Sequence, residues 1–426
     1  MNGAALFLAL SLAAPTAAAS ANAGIIGTPR WLRTLAAAPQ NPPPLPSVLL
    51  PLPDGSVLVR KGDGVVALTP RGATRWSMPN VSGAVLDGRS VIFRRSDIVF
   101  AVRSSDAGVL WKRPCTDPKY TAVAGDRIVT VCGGVSTVLR ARDGRVLARH
   151  AVKTVTGPTQ LSGARSLNDD YVLVANFFDG AWMGYGYYVV DAHTGAFLWS
   201  ETDCDVVAVT STTISLTPYP SMLPWANAGV VQTRRLADGS VEDTRTYAVP
   251  ADADATRGHL AETPSATYVV TWNGALFRFP GRRVSGRQTI MRSGAQYVIT
   301  SGEAAFVFVE DRIAPGPSRG IMYVDRPSRG GTFETRQIGS YTGALTGQSL
   351  LFGDPVAYAG VVVPSGIAVA EAASVALYDT SGSRKLVAPS SCTGTAPEVA
   401  ATRTMLFVRC APRGLPATLT AFARRS

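Results

Sequence analysis

Long hydrophobic runs and helical periodicity are scarce in this sequence of 426 residues. One apolar segment, Ala4 to Ala14, is too short to cross a bilayer, and another, Val356 to Ala370, is interrupted by Pro364 and Gly366. No amphipathic stretch at helical period runs past about two turns outside the N-terminus. The sequence therefore predicts neither a transmembrane helix nor a helical fold.

Lysine is also scarce, because it accounts for five of the 41 basic residues, and the arginines are dispersed along the chain. The net charge of +11 is thus not gathered into the clustered stripe that a nucleic-acid footprint needs. The charge indicates weak attraction to anionic surface polymers or a bias of nucleotide composition. No nucleic-acid partner is predicted.

Residue sets that carry known chemistry are missing as well. His150, His193 and His259 fall in different parts of the chain, and no His/Cys cluster has the spacing of metal ligands. Residues 316–320 have the letters of a nucleophile elbow, but residues 321–325 are typical of a strand where that motif requires a helix. The sequence therefore predicts no metal, no cofactor and no catalytic residue.

The first 23 residues are predicted to be a signal peptide. The first apolar segment is followed by small residues at 17–19 and 21–23, and we expect cleavage after Ala23 to leave Gly24 as the mature N-terminus. No cysteine precedes Cys115, so we expect a secreted or periplasmic chain without a lipid anchor. The alternative for these residues is a disordered alanine-rich tail.

Short apolar strands and turn residues are abundant, with 41 glycines and 29 prolines scattered along the chain. One phrase recurs: an apolar strand, a turn, a second strand, a glycine-containing turn and a third strand that often bears tryptophan. The clearest copies begin at Ser56, Ser90, Asp126 and Asp170, and the fainter copies centre on 230–243, 267–290, 304–336 and 375–387. The tryptophans follow the same period, with separations of 45, 35 and 88 residues between Trp31, Trp76, Trp111 and Trp199.

A unit of about 35–50 residues with three or four short strands cannot bury both faces of its sheet alone, and radial stacking of such units gives a propeller. We predict an all-β fold, a single closed β-propeller of four-stranded blades over residues 24–426. Residues 30–35 are expected to join 404–409 and 417–422 in one blade and close the ring. The copies number nine, above the usual maximum of eight. We therefore expect one miscut unit between 250 and 390 and predict eight blades, with seven as the alternative.

The phrase "apolar strand, then Leu/Val-Asp-x-x-Gly-x-x-Leu-Trp" resembles the pyrroloquinoline-quinone-like propeller repeat, strongly over residues 54–200 and weakly after 205. That repeat occurs in quinoprotein dehydrogenases and in the propeller lipoprotein of the outer-membrane barrel-assembly machinery, so the resemblance implies a fold rather than one activity. The quinone enzymes of the family need a tryptophan floor, a disulfide between adjacent cysteines, calcium and a catalytic aspartate. This chain has no Cys-Cys pair and no matching calcium ligands, which argues against quinone binding.

Five cysteines in an exported chain predict disulfides. Cys115 follows the Trp111 strand and Cys132 ends the second strand of the next unit, whereas Cys392 and Cys410 hold the same two positions in the last units. Alternate loops of a four-stranded blade share a face, so both positions fall on one rim. We predict bridges Cys115–Cys132 and Cys392–Cys410 between adjacent blades, with Cys204 left over.

Two aromatic insertions depart from the repeat. Residues 176–186 and 218–226 lengthen the loop between second and third strands in successive units, and residues 310–320 lengthen the same loop further round. Aromatic side chains at this density suit a recognition surface. The predicted partner-binding residues are Phe177, Phe178, Trp182, Tyr185, Tyr219 and Trp225. The alternative is that they fold inward as a plug over the central channel.

These observations favour an exported, non-enzymatic interaction module, expected to be a monomer, that engages a protein or an envelope glycan through the aromatic loops. The main alternative is a quinone- or calcium-dependent oxidoreductase of the quinoprotein type, which the resemblance implies. A carbohydrate-binding or lyase-like propeller is a third hypothesis, supported only by the aromatic residues.

Overall fold

The computed structural model is all-β over the residues it describes, which are 25–26, 29–35, 49–61, 63–81, 83–152, 159–178, 184–202, 204–218, 229–250, 259–271, 273–281, 283–310, 319–328, 330–342, 360–363, 366–371, 374–389, 398–402, 404–410 and 417–423. They form nine sheets, each with four strands hydrogen-bonded in order. We call these sheets blades 1 to 9 in chain order and number the strands of each from 1 to 4. Strand 1 of one blade contacts strand 1 of the next at most interfaces, which places strand 1 innermost in the ring.

The two inner positions of the blades, taken in order from blade 1 to blade 9, are occupied by strands 1 and 2. Strand 1 spans Leu49–Pro51, Gly83–Asp87, Thr121–Ala124, Thr159–Ser166, Cys204–Val209, His259–Glu262, Ala295–Ser301, Gly360–Val363 and Glu398–Ala401. Strand 2 spans Val57–Lys61, Ser90–Arg94, Arg127–Cys132, Tyr171–Phe178, Thr213–Pro218, Ala266–Val270, Ala304–Glu310, Gly366–Glu371 and Met405–Cys410.

The two outer positions follow in the same order. Strand 3 spans Gly64–Leu68, Ile98–Arg103, Val135–Arg140, Gly184–Asp191, Val230–Arg235, Leu276–Pro280, Arg319–Pro327, Ser374–Asp379 and Ala417–Ala423. Strand 4 spans Thr74–Met78, Val109–Pro114, Val146–Ala151, Phe197–Thr202, Val241–Thr246, Gln288–Met291, Phe333–Thr342, Arg384–Pro389 and, from the N-terminus, Pro29–Leu35. A short strand, Ile25–Ile26, adds in parallel to the edge of blade 8.

The middle and outer strands of a blade differ in burial, which explains their different sequence patterns. In blade 1, strand 3 is buried throughout and strand 2 exposes only its last residue. Strand 4 of the same blade instead exposes Thr74 and Ser77 and buries only Trp76. Strands covered on both faces need apolar residues at every position, whereas an outer strand with one solvated side alternates.

The terminal strands close the ring as the sequence predicts. Strand Pro29–Leu35 pairs antiparallel with strand 3 of blade 9, with Trp31 opposite Ala421 and Leu35 opposite Ala417. Blade 9 is therefore built from one N-terminal strand and three C-terminal strands. The N-terminal strand pairs with the edge that strand 3 of this blade would otherwise expose.

The prediction of eight blades is wrong, because the described residues form nine complete four-stranded sheets. Nine hydrophobic clusters of buried residues lie between them, one for each pair of adjacent blades. The cluster between blades 9 and 1 joins Phe407 and Leu419 to Val57 and Val59, and so completes the circle. The faint copies between 250 and 390 are three full blades that lack the strand 4 tryptophan.

Where strand 4 has a tryptophan, the indole nitrogen donates to a backbone carbonyl in the strand 3–4 turn of the next blade. These donor and acceptor pairs are Trp31 with Pro70 (2.9 Å), Trp76 with Ser104 (2.9 Å), Trp111 with Ala141 (2.7 Å) and Trp199 with Leu236 (2.8 Å). Beneath the Trp111 ring lies Gly144, with φ at +66°, where an added Cβ would come within 2.6 Å of the ring. The glycine of the repeated turn is thus required both by its backbone conformation and by the ring above it.

Candidate functional site: the long-loop rim

The up-and-down order of the strands gives the propeller two faces with different connections. Turns from strand 1 to 2 and from strand 3 to 4 lie on one face, which we call the tight-turn rim. Connections from strand 2 to 3 and from one blade to the next start and end on the opposite face, the long-loop rim. The strand bounds leave 179–183, 219–229 and 311–318 as the strand 2–3 connections of blades 4, 5 and 7. All three start and end on the long-loop rim.

Three of the six aromatic residues predicted to bind a partner lie in the described strands of blade 4. Phe177 and Phe178 end strand 2, and Tyr185 lies in strand 3 directly opposite Phe177. The strands therefore extend the hairpin to the long-loop rim and bring these positions together there. Trp182, Tyr219 and Trp225 lie outside the described residues, and the partner-binding role of the set stays a prediction.

The predicted disulfide between Cys115 and Cys132 is confirmed. Cys115 lies just beyond strand 4 of blade 2 and Cys132 ends strand 2 of blade 3, with a Cα–Cα distance of 4.8 Å. The bridge crosses from one blade to the next on the long-loop rim. The bridge joins residues with a sequence separation of 17 and so reduces the conformational entropy of the unfolded chain. This loss of entropy stabilises the folded state.

The structure describes two of the other three cysteines, Cys204 and Cys410. Cys410 is disulfide-bonded, and its predicted partner Cys392 lies outside the described residues. When blades are superimposed on the strand 3 residue that faces the strand 4 tryptophan position, Cys410 and Cys132 are equivalent. Cys204 is buried in the core between blades 4 and 5.

Three arginines that the sequence analysis did not single out hold one position on the long-loop rim. By the same superposition, Arg60, Arg94 and Arg409 are equivalent residues near the end of strand 2 in blades 1, 2 and 9. These blades are consecutive because the ring closes between 9 and 1. The available sequence signal was an arginine directly after three apolar residues of a strand, in three copies of the repeat.

Two of these arginines are almost fully buried, and their charges lie close to each other. Arg60 and Arg409 are only 8% and 6% exposed. Burial and the charge of Arg409 lower the pKa of Arg60, and Asp63 opposes them. Burial also lowers the pKa of Arg94, whose guanidinium donates to the Lys119 carbonyl oxygen. Arginine stays protonated in proteins, so Arg60 and Arg409 hold two positive charges close to each other.

Several arginines on the tight-turn rim are paired with carboxylates. The ion pairs there include Arg75 with Asp54 (2.5 Å), Arg103 with Asp106 (2.5 Å) and Arg140 with Asp143 (2.5 Å). Each aspartate also accepts a hydrogen bond from a backbone N–H of its own turn. Hydrogen bonds from the Arg140 side chain and the Arg145 N–H lower the pKa of Asp143 to about 2. Turn formation and charge neutralisation thus use the same residues.

The most deeply buried carboxylates make structural contacts. Asp325, which is fully buried, accepts hydrogen bonds from Arg278 (2.6 Å) and Tyr268 (2.8 Å) across the interface between blades 6 and 7, and from Thr335 (2.6 Å) within blade 7. Glu262 accepts a hydrogen bond from Thr267 (3.1 Å) and pairs with Arg245 (2.9 Å).

These groups do not form a quinone or calcium site. Among the residues that the structure describes, no group of three or more His, Cys, Asp or Glu side chains is placed to hold a metal ion. The buried carboxylates are neutralised by arginines, and the sequence has no adjacent cysteines to stack on a quinone. The residues that the structure describes therefore do not fit the cofactor set of the quinoprotein enzymes.

No known protein-family model and no curated protein matches the chain. The described part of the chain also contains no helix of the length and apolarity needed to cross a membrane.

Several solved structures are similar in fold. BamB from Moraxella catarrhalis is 13% identical, with 93% of this chain and 100% of that chain covered and a TM-score of 0.44. The quinohemoprotein alcohol dehydrogenase from Comamonas testosteroni is 11% identical, with 93% and 76% covered and a TM-score of 0.45. A eukaryotic initiation factor is 10% identical, with 89% and 93% covered and a TM-score of 0.50. At these identities the likeness concerns the fold alone.

Proposed function

We propose that this chain is an exported, non-enzymatic propeller that binds a protein or an envelope glycan through its long-loop rim. The observation that carries the proposal is the placement of the long strand 2–3 connections. Those of blades 4, 5 and 7 all start from one rim, whereas the opposite rim is closed by hydrogen-bonded turns. Variable loops on one face of a rigid scaffold are the usual location of binding residues.

The chemistry of these connections supports recognition. Phe177 and Tyr185 are paired residues of the two strands of the blade 4 hairpin, and the sequence between strands 2 and 3 of the adjacent blade 5 contains Tyr219 and Trp225. Tyrosine and tryptophan offer large rigid surfaces with a polar end, which lose little side-chain entropy on binding. The disulfide on the same rim supports export, because such bonds persist in oxidising compartments.

The test is the double variant Trp182→Ala/Trp225→Ala of the mature protein, compared with Leu110→Ala/Leu147→Ala. The control removes two exposed leucines, 42% and 44% accessible, near the tight-turn rim. We expect the tryptophan variant to lose capture of its partner from envelope extract, and the leucine variant to retain it. Both should melt close to the unaltered protein.

A loss of several degrees in the melting temperature of the tryptophan variant would show that these residues are a plug or part of the core. The oxidoreductase alternative has its own assay, in which the protein is mixed with pyrroloquinoline quinone and calcium. We expect neither a red-shifted quinone absorbance nor reduction of a dye in the presence of alcohols.

A further inference from the structure

Exposed aliphatic side chains begin the outer strands of two consecutive blades. In blade 2 they are Val109 and Leu110, which are 51% and 42% exposed. In blade 3 they are Val146 and Leu147, which are 37% and 44% exposed. Single exposed aliphatic residues are common on protein surfaces, whereas a group of them on neighbouring strands indicates an interaction surface. We call these four residues the aliphatic patch.

The two halves of the aliphatic patch are held side by side. The Arg113 side chain, from strand 4 of blade 2, donates to the carbonyl oxygen of Gly144 (2.6 Å) in the strand 3–4 turn of blade 3. The Trp111 indole donates to the carbonyl oxygen of Ala141 (2.7 Å) in the same turn. That turn leads directly into the aliphatic residues of blade 3. Both halves of the patch therefore lie together near the tight-turn rim.

Basic side chains border the aliphatic patch. Lys112 and Arg149 lie two residues after the leucine of each strand, and both are exposed. Arg142 and Arg145, in the turn of blade 3, are exposed as well. Among the residues that the structure describes, no carboxylate lies within ion-pair distance of Lys112 or Arg149. The patch is thus surrounded by cations that remain available to a negatively charged surface.

The charge of blades 2 and 3 is strongly positive. Residues 83–152 contain twelve lysines and arginines against six aspartates and no glutamate, which accounts for +6 of the net charge of +11. The aspartates of the two strand 3–4 turns, Asp106 and Asp143, are already bonded to Arg103 and Arg140 (both 2.5 Å). These aspartates therefore do not cancel the charge of the cations that border the patch.

The outer strands of the next two blades lack this combination. In blade 4, Phe197 and Leu198 are only partly exposed, and Ser200 follows where blades 2 and 3 have a basic residue. In blade 5, Val241 is exposed, but Glu242 and Asp243 follow it. Exposed aliphatic and basic residues thus occur together in blades 2 and 3 and not in blades 4 and 5.

We infer that the outer face of blades 2 and 3 binds the surface of an anionic lipid bilayer. Aliphatic side chains bordered by lysine and arginine suit the interface of such a bilayer, where the aliphatic groups enter among the acyl chains and the cations contact the lipid phosphates. An acidic protein or polymer would satisfy the cations but leave the aliphatic patch in water. The inference does not rest on the proposed function, which concerns the opposite rim.

The test is co-sedimentation of the mature protein with vesicles of equal parts phosphatidylglycerol and phosphatidylcholine. Vesicles of phosphatidylcholine alone are the neutral control. We expect the protein to bind the anionic vesicles, to bind them more weakly as salt is raised, and to bind the neutral vesicles little.

Two double variants test the two halves of this chemistry. Leu110→Ala/Leu147→Ala should bind the anionic vesicles about tenfold more weakly, because fewer aliphatic groups leave water. Lys112→Gln/Arg149→Gln should bind them about twenty-five-fold more weakly, since each basic residue near an anionic surface contributes about fivefold.

Matched variants separate this surface from general hydrophobicity and net charge. Val241→Ala removes an exposed valine (49%) of blade 5 and should leave vesicle binding unchanged. Arg326→Gln/Lys385→Gln lowers the net charge by the same two units in blades 7 and 8 and should weaken binding far less than Lys112→Gln/Arg149→Gln. Equal weakening by these two double variants would assign the attraction to net charge and overturn the proposal.

Stability is checked for each variant by its melting temperature. The altered side chains are exposed, so every variant should melt with the unaltered protein. If the leucine variant melts lower, Lys112→Gln/Arg149→Gln and its matched control still decide the proposal.

Other outcomes reject the lipid assignment. Binding that depends on Lys112 and Arg149 but not on the leucines would mean that this face takes an acidic protein or polymer. A leucine variant that elutes later than the unaltered protein in gel filtration would mean that the aliphatic patch covers a second copy of the chain. Absence of binding to the anionic vesicles would reject the proposal outright.

The two faces can be tested independently. Trp182→Ala/Trp225→Ala should bind the vesicles normally, whereas Leu110→Ala/Leu147→Ala should lose vesicle binding and keep capture of the partner from extract. Failure of the proposal for one face is therefore distinguishable from failure for the other.

Discussion

The two rims of this propeller are made from the same nine repeats but use their polar residues in opposite ways. On the tight-turn rim, aspartates fix the turns through backbone N–H groups and neutralise neighbouring arginines. On the long-loop rim, Arg60 and Arg409 are buried beside each other, and the extended connections of blades 4, 5 and 7 begin. The difference indicates that the turns of one rim are fixed by their own polar residues, whereas the other rim is where the long connections proposed to bind a partner start.

The largest effect that we expect comes from the polar contacts beneath the tight-turn rim. Asp325→Asn removes the charge that pairs with Arg278 at 2.6 Å while Arg278 stays 7% exposed. Breaking a buried ion pair from one side leaves an uncompensated charge, so unfolding free energy should fall by about 4 kcal/mol. Urea unfolding monitored by tryptophan fluorescence measures the loss.

The matched control is Glu334→Gln in the same blade, where the exposed pair with Arg326 has a separation of 3.7 Å. That change should cost less than about 1 kcal/mol, because exposed ion pairs contribute little. Equal losses for the two variants would contradict a special role for the buried pair.

The second largest effect concerns the Cys115–Cys132 disulfide on the long-loop rim. Replacing both Cys115 and Cys132 by serine should lower the unfolding free energy by about 3 kcal/mol, since the unfolded chain regains the freedom of the closed loop. Thermal unfolding under non-reducing conditions tests this expectation. If the variant keeps the original melting temperature, packing between blades 2 and 3 already determines the geometry and the bridge adds nothing.

Two glycines, one on each rim, allow the effect of a substitution to be compared between the rims. Gly144 on the tight-turn rim and Gly134 on the long-loop rim both have positive φ, at +66° and +78°, but only Gly144 lies under a tryptophan ring. Gly144→Ala should therefore destabilise by about 2 kcal/mol more than Gly134→Ala, because the added methyl group overpacks against Trp111. Chemical unfolding of the two variants side by side gives this difference, and equal losses would mean that backbone strain alone matters.

The smallest effect is the response to acid. Hydrogen bonds lower the pKa of Asp143 to about 2 and also lower the pKa values of Asp106 and Asp238. Folded pKa values below the unfolded value of about 3.9 mean that these groups stabilise the protein above about pH 4, and that this contribution disappears as pH falls toward 2.

We therefore expect the amides of Gly108, Arg145 and Ser240, which bond to these aspartates, to lose exchange protection first on acidification. Hydrogen exchange between pH 5 and 2, corrected for intrinsic rates, provides the measurement. The Gly133 amide on the long-loop rim, bonded to the Thr116 carbonyl, should stay protected longer. Simultaneous loss at both rims would contradict the assignment of acid sensitivity to the turn aspartates.

The sequence by itself determined the all-β class, the closure by terminal strands and the Cys115–Cys132 bridge. These features are predicted from local patterns, namely short apolar strands, glycine-containing turns and tryptophans at a fixed period. Each of these patterns has a defined structural role in a four-stranded blade. Trp31 and Trp111 illustrate the point, since each docks on the turn of the next blade.

Only the tertiary structure decided the number of blades and the proximity of Arg60 and Arg409. The repeats of blades 6 to 8 are faint in sequence although their buried strands and interface cores are complete. Arg60 and Arg409 are far apart in the chain and become neighbours because blade 9 packs against blade 1 where the ring closes. A local pattern specifies one blade, but the position at which a ring closes depends on how all the interfaces pack together.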